Sequence, residues 1–154
     1  MTNVIERLPI LVLEPHARCN CRCVMCDIWK VTDKAEMSAA DLERHLADIE
    51  KLGVEWVVFT GGEPLMHSDL FALCRMLRAR GIRVTLLSSG LLLERYAASI
   101  SAAVDDVIVS LDGPPAIHDE IRGVVRAFGQ LEDGVRAIHR IAPAYRIAAR
   151  CTVS

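Results

Sequence analysis

Apolar positions along the chain fall into two alternating rhythms. Short β-branched runs at Ile10–Glu14, Trp56–Thr60, Arg83–Leu87, Asp106–Leu111 and Arg146–Val153 read as strands. Between them apolar residues recur every three or four positions, the period of one helix face. Ser38–Leu52 gathers Leu42, Leu46 and Ile49, and Asp69–Arg80 gathers Leu70, Phe71, Leu73, Cys74 and Leu77. Leu91–Val104 reads as a third helix, and Phe128–Ala142, carrying Leu131, Val135 and Ile138, as a fourth. Ser38 followed by Asp41 matches a capping pattern, and Gly53 and Gly81 stand where glycine stops belong. Four strand–helix units and a fifth strand imply parallel strands with right-handed crossovers. A doubly wound open sheet and a barrel-like sheet both satisfy the pattern. No helix follows the fifth strand, and parallel sheets are ordinarily covered, so an incomplete domain is expected.

Composition narrows the function classes. The 154 residues suit one compact domain, and 52% hydrophobic with 25% charged residues excludes intrinsic disorder. Eighteen basic against twenty acidic residues leave a net charge of −2, which argues against a general nucleic-acid binder. Aromatic residues at 5% supply little for base stacking. No apolar run approaches the roughly 18 residues a membrane helix needs, and the N-terminus lacks a secretory pattern. Neither nucleic acid nor membrane is expected as a partner, and the expected compartment is the cytoplasm.

The unusual chemistry collects where the strands end, which is where parallel α/β folds bind ligands. Four of six cysteines lie within eight residues, and Cys19, Cys23 and Cys26 have the spacing C-x3-C-x2-C. Three thiolates on one loop can hold three irons of a 4Fe–4S cluster and leave the fourth iron open. With Cys21, His16 or another residue as a fourth ligand, the same loop would make a structural zinc site. After the second strand stands Gly61-Gly62-Glu63-Pro64. Its glycines would admit a ligand to the backbone, Glu63 would meet an amine, and Pro64 would stiffen the turn. An ordinary strand-to-helix turn uses the same residues. Cys74 and Cys151 read as small core residues, and His45, His67 and His139 as surface or border residues. Asp112 reads equally as a turn cap or a site residue.

The two motifs together, each after its expected strand, resemble the radical S-adenosylmethionine (SAM) superfamily, from about Leu8 to Ser154. The resemblance implies a partial (β/α)6 TIM-like barrel of parallel strands, with the chain ending at about strand five. Residues 1–154 would form its core domain, incomplete on the C-terminal side. It also implies a 4Fe–4S cluster on Cys19, Cys23 and Cys26, with the open iron chelated by the amino and carboxylate groups of SAM. Gly61, Gly62, Glu63 and Pro64 would hold the amino group. Ser110-Leu111-Asp112-Gly113-Pro114, His118-Asp119 and Arg122-Gly123 are similar to the fourth-strand region of one branch. That branch includes sulfatase-maturing and peptide-modifying members, with molybdopterin-precursor synthases related to it. It carries over Ser110 and Arg122 as SAM contacts, the guanidinium suiting the carboxylate. Met25 replaces the usual aromatic near the adenine, and Ser88-Ser89-Gly90 replaces Thr-Asn-Gly while keeping the hydroxyl at Ser88. The implied activity starts with a low-potential donor of the flavodoxin or ferredoxin type. Cleavage of SAM then leaves methionine and a 5′-deoxyadenosyl radical, which takes hydrogen from an unidentified substrate, a peptide or cofactor precursor being favoured. The rival reading is a non-catalytic zinc- or iron–sulfur-binding module or an inactive fragment.

Overall fold

The computed structural model describes residues 5–152, so Val153 of the expected fifth strand lies outside the described residues. Five strands, β1 (Ile10–Leu13), β2 (Trp56–Phe59), β3 (Arg83–Ser88), β4 (Asp106–Ser110) and β5 (Arg146–Arg150), form one sheet. All pairs are parallel and the strand order follows the chain, 1-2-3-4-5. That order removes the doubly wound alternative, because a chain that never reverses its direction of travel puts every crossover helix on one face.

The register explains the two faces. Leu13, Phe59, Leu86, Val107 and Ile147 align across the sheet on the side that packs into the hydrophobic core. One residue earlier, Val12, Val58, Thr85, Asp106 and Arg146 form the opposite row, the concave side of a partial barrel. At the N-terminal end of this side, Trp56 Nε1 donates to Thr85 Oγ1 at 2.8 Å and Thr85 Oγ1 to Asp106 Oδ1 at 2.5 Å. Arg83 pairs with Asp106 and lies over the Trp56 ring, 4.7 Å from its centroid. These groups floor a hollow of about 550 Å3, away from the cysteine loop.

The helices are α1 (Ala39–Lys51), α2 (Leu70–Arg78), α3 (Leu93–Ala103), α4 (Pro115–Arg122) and α5 (Ala127–Ile141). Ser38 and Asp41 make the reciprocal capping box, each side chain bonding the other's backbone N–H. Cys74 is fully buried between α2 and the sheet, and burial pushes its thiol up to about 12. The sequence pattern missed α4, because Pro114-Pro115 and Gly113 read as turn punctuation. Proline is at home in a first helical turn, and Gly123 closes α4 at φ +63°. Two further readings are corrected. Cys151 is exposed just beyond β5, an edge strand whose residues are mostly exposed. His67 is buried, with Nε2 2.9 Å from the Met37 carbonyl. No helix among the described residues is long and apolar enough to cross a membrane.

Candidate functional site

The loop after β1 lies directly on the turn after β2. Glu63 N donates to Arg18 O at 2.8 Å, and Gly62 N to His16 O at 3.4 Å. A Cβ on Gly62 would stand 1.9 Å from Arg18 O, and one on Gly61 2.6 Å from His16 O. The two glycines therefore admit the backbone of the cysteine loop, and their neighbouring N–H groups are committed to it. On its other side the loop is tied to α4, through Arg22 N to Arg122 O and Val24 N to Ile121 O, both at 3.0 Å. Gly123 again permits the contact, since a Cβ there would meet Arg22 O at 2.7 Å. The ends of two strands and one short helix thus fix where the thiols stand.

Cys19, Cys23, Met25, Cys26, Gly61, Gly62, Ser88, Ser110 and Arg122 line one cavity at the C-terminal ends of the strands. Glu63 and Pro64 are buried behind it. The Glu63 carboxylate accepts from Leu65 N (3.2 Å) and Ser88 Oγ (2.9 Å) on one oxygen. Its other oxygen accepts from Ser89 N (2.7 Å) and Ser89 Oγ (2.6 Å). Four donors reach its two oxygens, so this side chain fastens the β3–α3 loop to the β2 turn. Burial pushes the Glu63 carboxyl up, against the pull of the bonds from Ser89, Ser88 and Leu65.

Asp112 is likewise buried. It pairs with Arg122 Nη2 and accepts Thr152 N at 3.1 Å, while Arg122 Nη1 lies 3.6 Å from Cys23 Sγ. The remaining members of that motif are structural. Asp119 bonds Arg126 N and Phe128 N, both at 2.8 Å, at the start of α5, and His118 packs edge-on against Phe128. Sequence reasoning missed Arg150 and Thr152, which also line the cavity. Their signal was present, because Arg146, Arg150 and Thr152 keep the alternate-residue phase of a strand face.

Cys21 is buried in the same cavity wall, where its backbone N–H donates to Cys19 Sγ at 3.4 Å and its thiol to Asn20 Oδ1 at 3.9 Å. Its thiol holds Cys19 down at about 7, against burial. Cys23 is held down at about 6 by the Cys21 thiol and then, against burial, by the Arg122 guanidinium. Cys21 itself is pushed up, chiefly by the neighbouring sulfurs of Cys19 and Cys23 and then by burial. Cys19 and Cys23 are accordingly poised as thiolates, the form that binds metal. Cys26 is exposed at the cavity's rim.

Burial also holds three imidazoles, His16, His67 and His118, below the ordinary 6.5. The unfolded chain takes up their protons first as pH falls. Their contribution to stability is therefore intact above pH 6.5 and is lost progressively below it, by up to about 1.4 kcal/mol per pH unit for each. Urea midpoints measured across this range should fall with acidification, and a flat profile would contradict the burial of all three.

The fold and site define a class: a single-wound parallel α/β half-barrel with a thiol-lined cavity at its strand ends. The Radical SAM superfamily model matches residues 13–148, and the chain belongs to that superfamily. The chain is similar to the pre-heme d1 synthase of Dinoroseobacter shibae, 32% identical over 136 residues, 86% of this chain and 34% of that protein. It is also similar to the PqqA peptide cyclase of Rhodopseudomonas palustris, 34% identical over 122 residues, 75% and 32% of the two. Streptococcus suis SuiB bound to S-adenosylmethionine shares the fold, with a TM-score of 0.77 and 19% identity over 99% of this chain and 35% of that one. The chain spans about a third of the length of the curated relatives it matches.

Proposed function

We propose that this chain is the core domain of a radical SAM enzyme, with Cys19, Cys23 and Cys26 holding a 4Fe–4S cluster. The observation that carries the reading is one cavity uniting these three thiols with the Gly61-Gly62 turn and Ser110. Cys19 and Cys23, poised as thiolates, suit iron, and three ligands from one loop leave the fourth iron for a small molecule.

When bound, cluster and SAM supply one-electron cleavage of the SAM carbon–sulfur bond, giving methionine and a 5′-deoxyadenosyl radical that takes hydrogen from a substrate. The chain's own work is positioning. Met25 offers a polarisable thioether to the adenine, Ser88 and Ser110 offer hydroxyls, and the backbone at Gly61 and Gly62 borders the amino group. Glu63 and Pro64 act from behind, by holding that turn. Arg122 bears on the cluster through Cys23 and on the SAM wall through its place beside Ser110. The reductant is a flavodoxin- or ferredoxin-type donor in the cytoplasm. The substrate is a peptide or a cofactor precursor, the two classes named by the relatives, and it meets the radical on the concave side of the sheet.

Anaerobic reconstitution with iron and sulfide, followed by reduction and electron paramagnetic resonance with and without SAM, tests this. A 4Fe–4S signal that changes on adding SAM is expected. Zinc without sulfide in the purified protein, or a cluster signal indifferent to SAM, would sink the proposal.

A further inference from the structure

We infer that His16 is a positioning residue for Cys19: its imidazole holds the peptide that leads into the thiol loop and keeps that loop seated on the Gly61-Gly62 turn. The assignment rests on the cluster reading above and adds a residue that lies outside both motifs.

His16 is buried in the loop between β1 and Cys19. Its Nδ1 accepts Arg18 N at 3.1 Å, the amide of the residue directly before Cys19. An acceptor at Nδ1 places the ring proton on Nε2. Arg18 is fastened on its other sides too. Its carbonyl accepts Glu63 N at 2.8 Å, and its guanidinium donates to Met66 O at 2.6 Å and pairs with Glu36. The His16 carbonyl bears on the same turn, accepting Gly62 N at 3.4 Å and standing 2.6 Å from where a Cβ on Gly61 would lie. A side chain thus closes residues 16–18 upon themselves, as Asn and Ser do when they accept the amide two residues ahead. His67 makes the same bond to Asp69 N at 3.0 Å, with its ring centroid 5.5 Å from that of His16.

Packing alone does not account for an imidazole at this place. Nε2 is buried and finds no hydrogen-bond partner among the described residues. An orphaned buried donor costs free energy that an aliphatic side chain of similar size would not. What the ring supplies in return is the acceptor at Nδ1. Without it Arg18 N is left unpaired where the cysteine loop rests on the turn. Relief comes by lifting Arg18, and Cys19 with it, away from Glu63 N.

The test is a series at position 16 that separates the acceptor from the size of the side chain. His16→Asn and His16→Thr keep an oxygen able to accept Arg18 N, His16→Leu fills the space without one, and His16→Ala does neither. Each protein is loaded anaerobically with iron and sulfide. Loss of the cluster to an iron chelator is then timed in the oxidised state, and the urea midpoint is measured alongside. Loss should quicken about 10- to 100-fold in the Leu and Ala variants, where a buried donor is left without its acceptor. It should stay within a few-fold of wild type in the Asn and Thr variants. Reduced samples should show a weaker SAM-induced change in the electron paramagnetic resonance spectrum for Leu, restored in Asn. Loss rates that follow size, with Leu like wild type and Thr like Ala, would assign His16 to packing and overturn the inference. So would rates that merely track the urea midpoints. Wild-type protein that takes up zinc and no sulfide would instead overturn the cluster reading, before any variant is compared.

Discussion

Alanine at Cys19, Cys23 or Cys26 is expected to abolish cluster assembly, whereas alanine at Cys21 should leave it intact. The four cysteines lie within eight residues, and Cys19, Cys21, Cys23 and Cys26 all line one cavity, so proximity does not separate ligand from bystander. The C-x3-C-x2-C spacing does, and the electrostatics of Cys19 and Cys23 agree with it. Cys21 is held as a thiol, pushed up by the neighbouring Cys19 and Cys23 sulfurs and by burial, while Cys19 and Cys23 are held down at about 7 and about 6. Removing a true ligand leaves the cluster with two thiolates, and loss of most iron and sulfide follows, since Fe–S clusters are held by Cys thiolates. Removing Cys21 trims one buried sulfur and one hydrogen-bond donor, at a cost of about 1 kcal/mol. Its main chemical effect should be on Cys19 and Cys23, whose thiolate forms lose their largest stabilising contact. Iron and sulfide analysis after anaerobic reconstitution checks the contrast. Full iron in a Cys23→Ala protein, or none in Cys21→Ala, would break the ligand assignment.

The second large effect is expected at Gly62. An alanine Cβ there would lie 1.9 Å from Arg18 O and 2.4 Å from Arg18 C, both backbone atoms that no rotamer change can move aside. The cysteine loop must lift off the turn, breaking the bonds from Glu63 N to Arg18 O and from Gly62 N to His16 O. A destabilisation of about 2–4 kcal/mol is expected, together with loss of cluster because Cys19 follows Arg18 directly. Gly129→Ala makes the control, since a Cβ there meets nothing closer than 3.7 Å and that neighbour is the end of the Arg126 side chain. Inside α5 it should be neutral or stabilising by up to about 1 kcal/mol. Urea unfolding and the iron-to-protein ratio, measured for both variants, separate packing of the loop from a general intolerance of substitution. Wild-type stability and iron content in Gly62→Ala would contradict the role assigned to this glycine.

Particular elements show what could be read along the chain. The five strands lie within a few residues of the apolar runs, and α1 starts at its capping box, because both signals are carried by residues a few positions apart. The helix α4 escaped because its proline start and glycine stop use the same residues as a loop. Polar partnerships escaped for a different reason. Glu63 binds Ser88 and Ser89, 25 and 26 positions away, a tie its own motif does not announce. Arg122 reaches Cys23 across 99 positions, and Arg150 reaches Ser110 across 40. No local pattern distinguishes a carboxylate that faces a ligand from one that ties two loops together.

By itself the sequence determined the alternation of strands and helices, the parallel sheet, and the two motifs that identify the superfamily. Each is encoded by periodicity or spacing over a short stretch, where neighbouring residues are forced to share a face. Only the tertiary structure decided the single-wound strand order, the close seat of the cysteine loop on Gly61 and Gly62, and the partner of each buried charge. Those depend on which distant segments come within a few ångströms of one another. At that range hydrogen-bond saturation and charge pairing, not residue identity, settle which side chains remain free to hold a ligand.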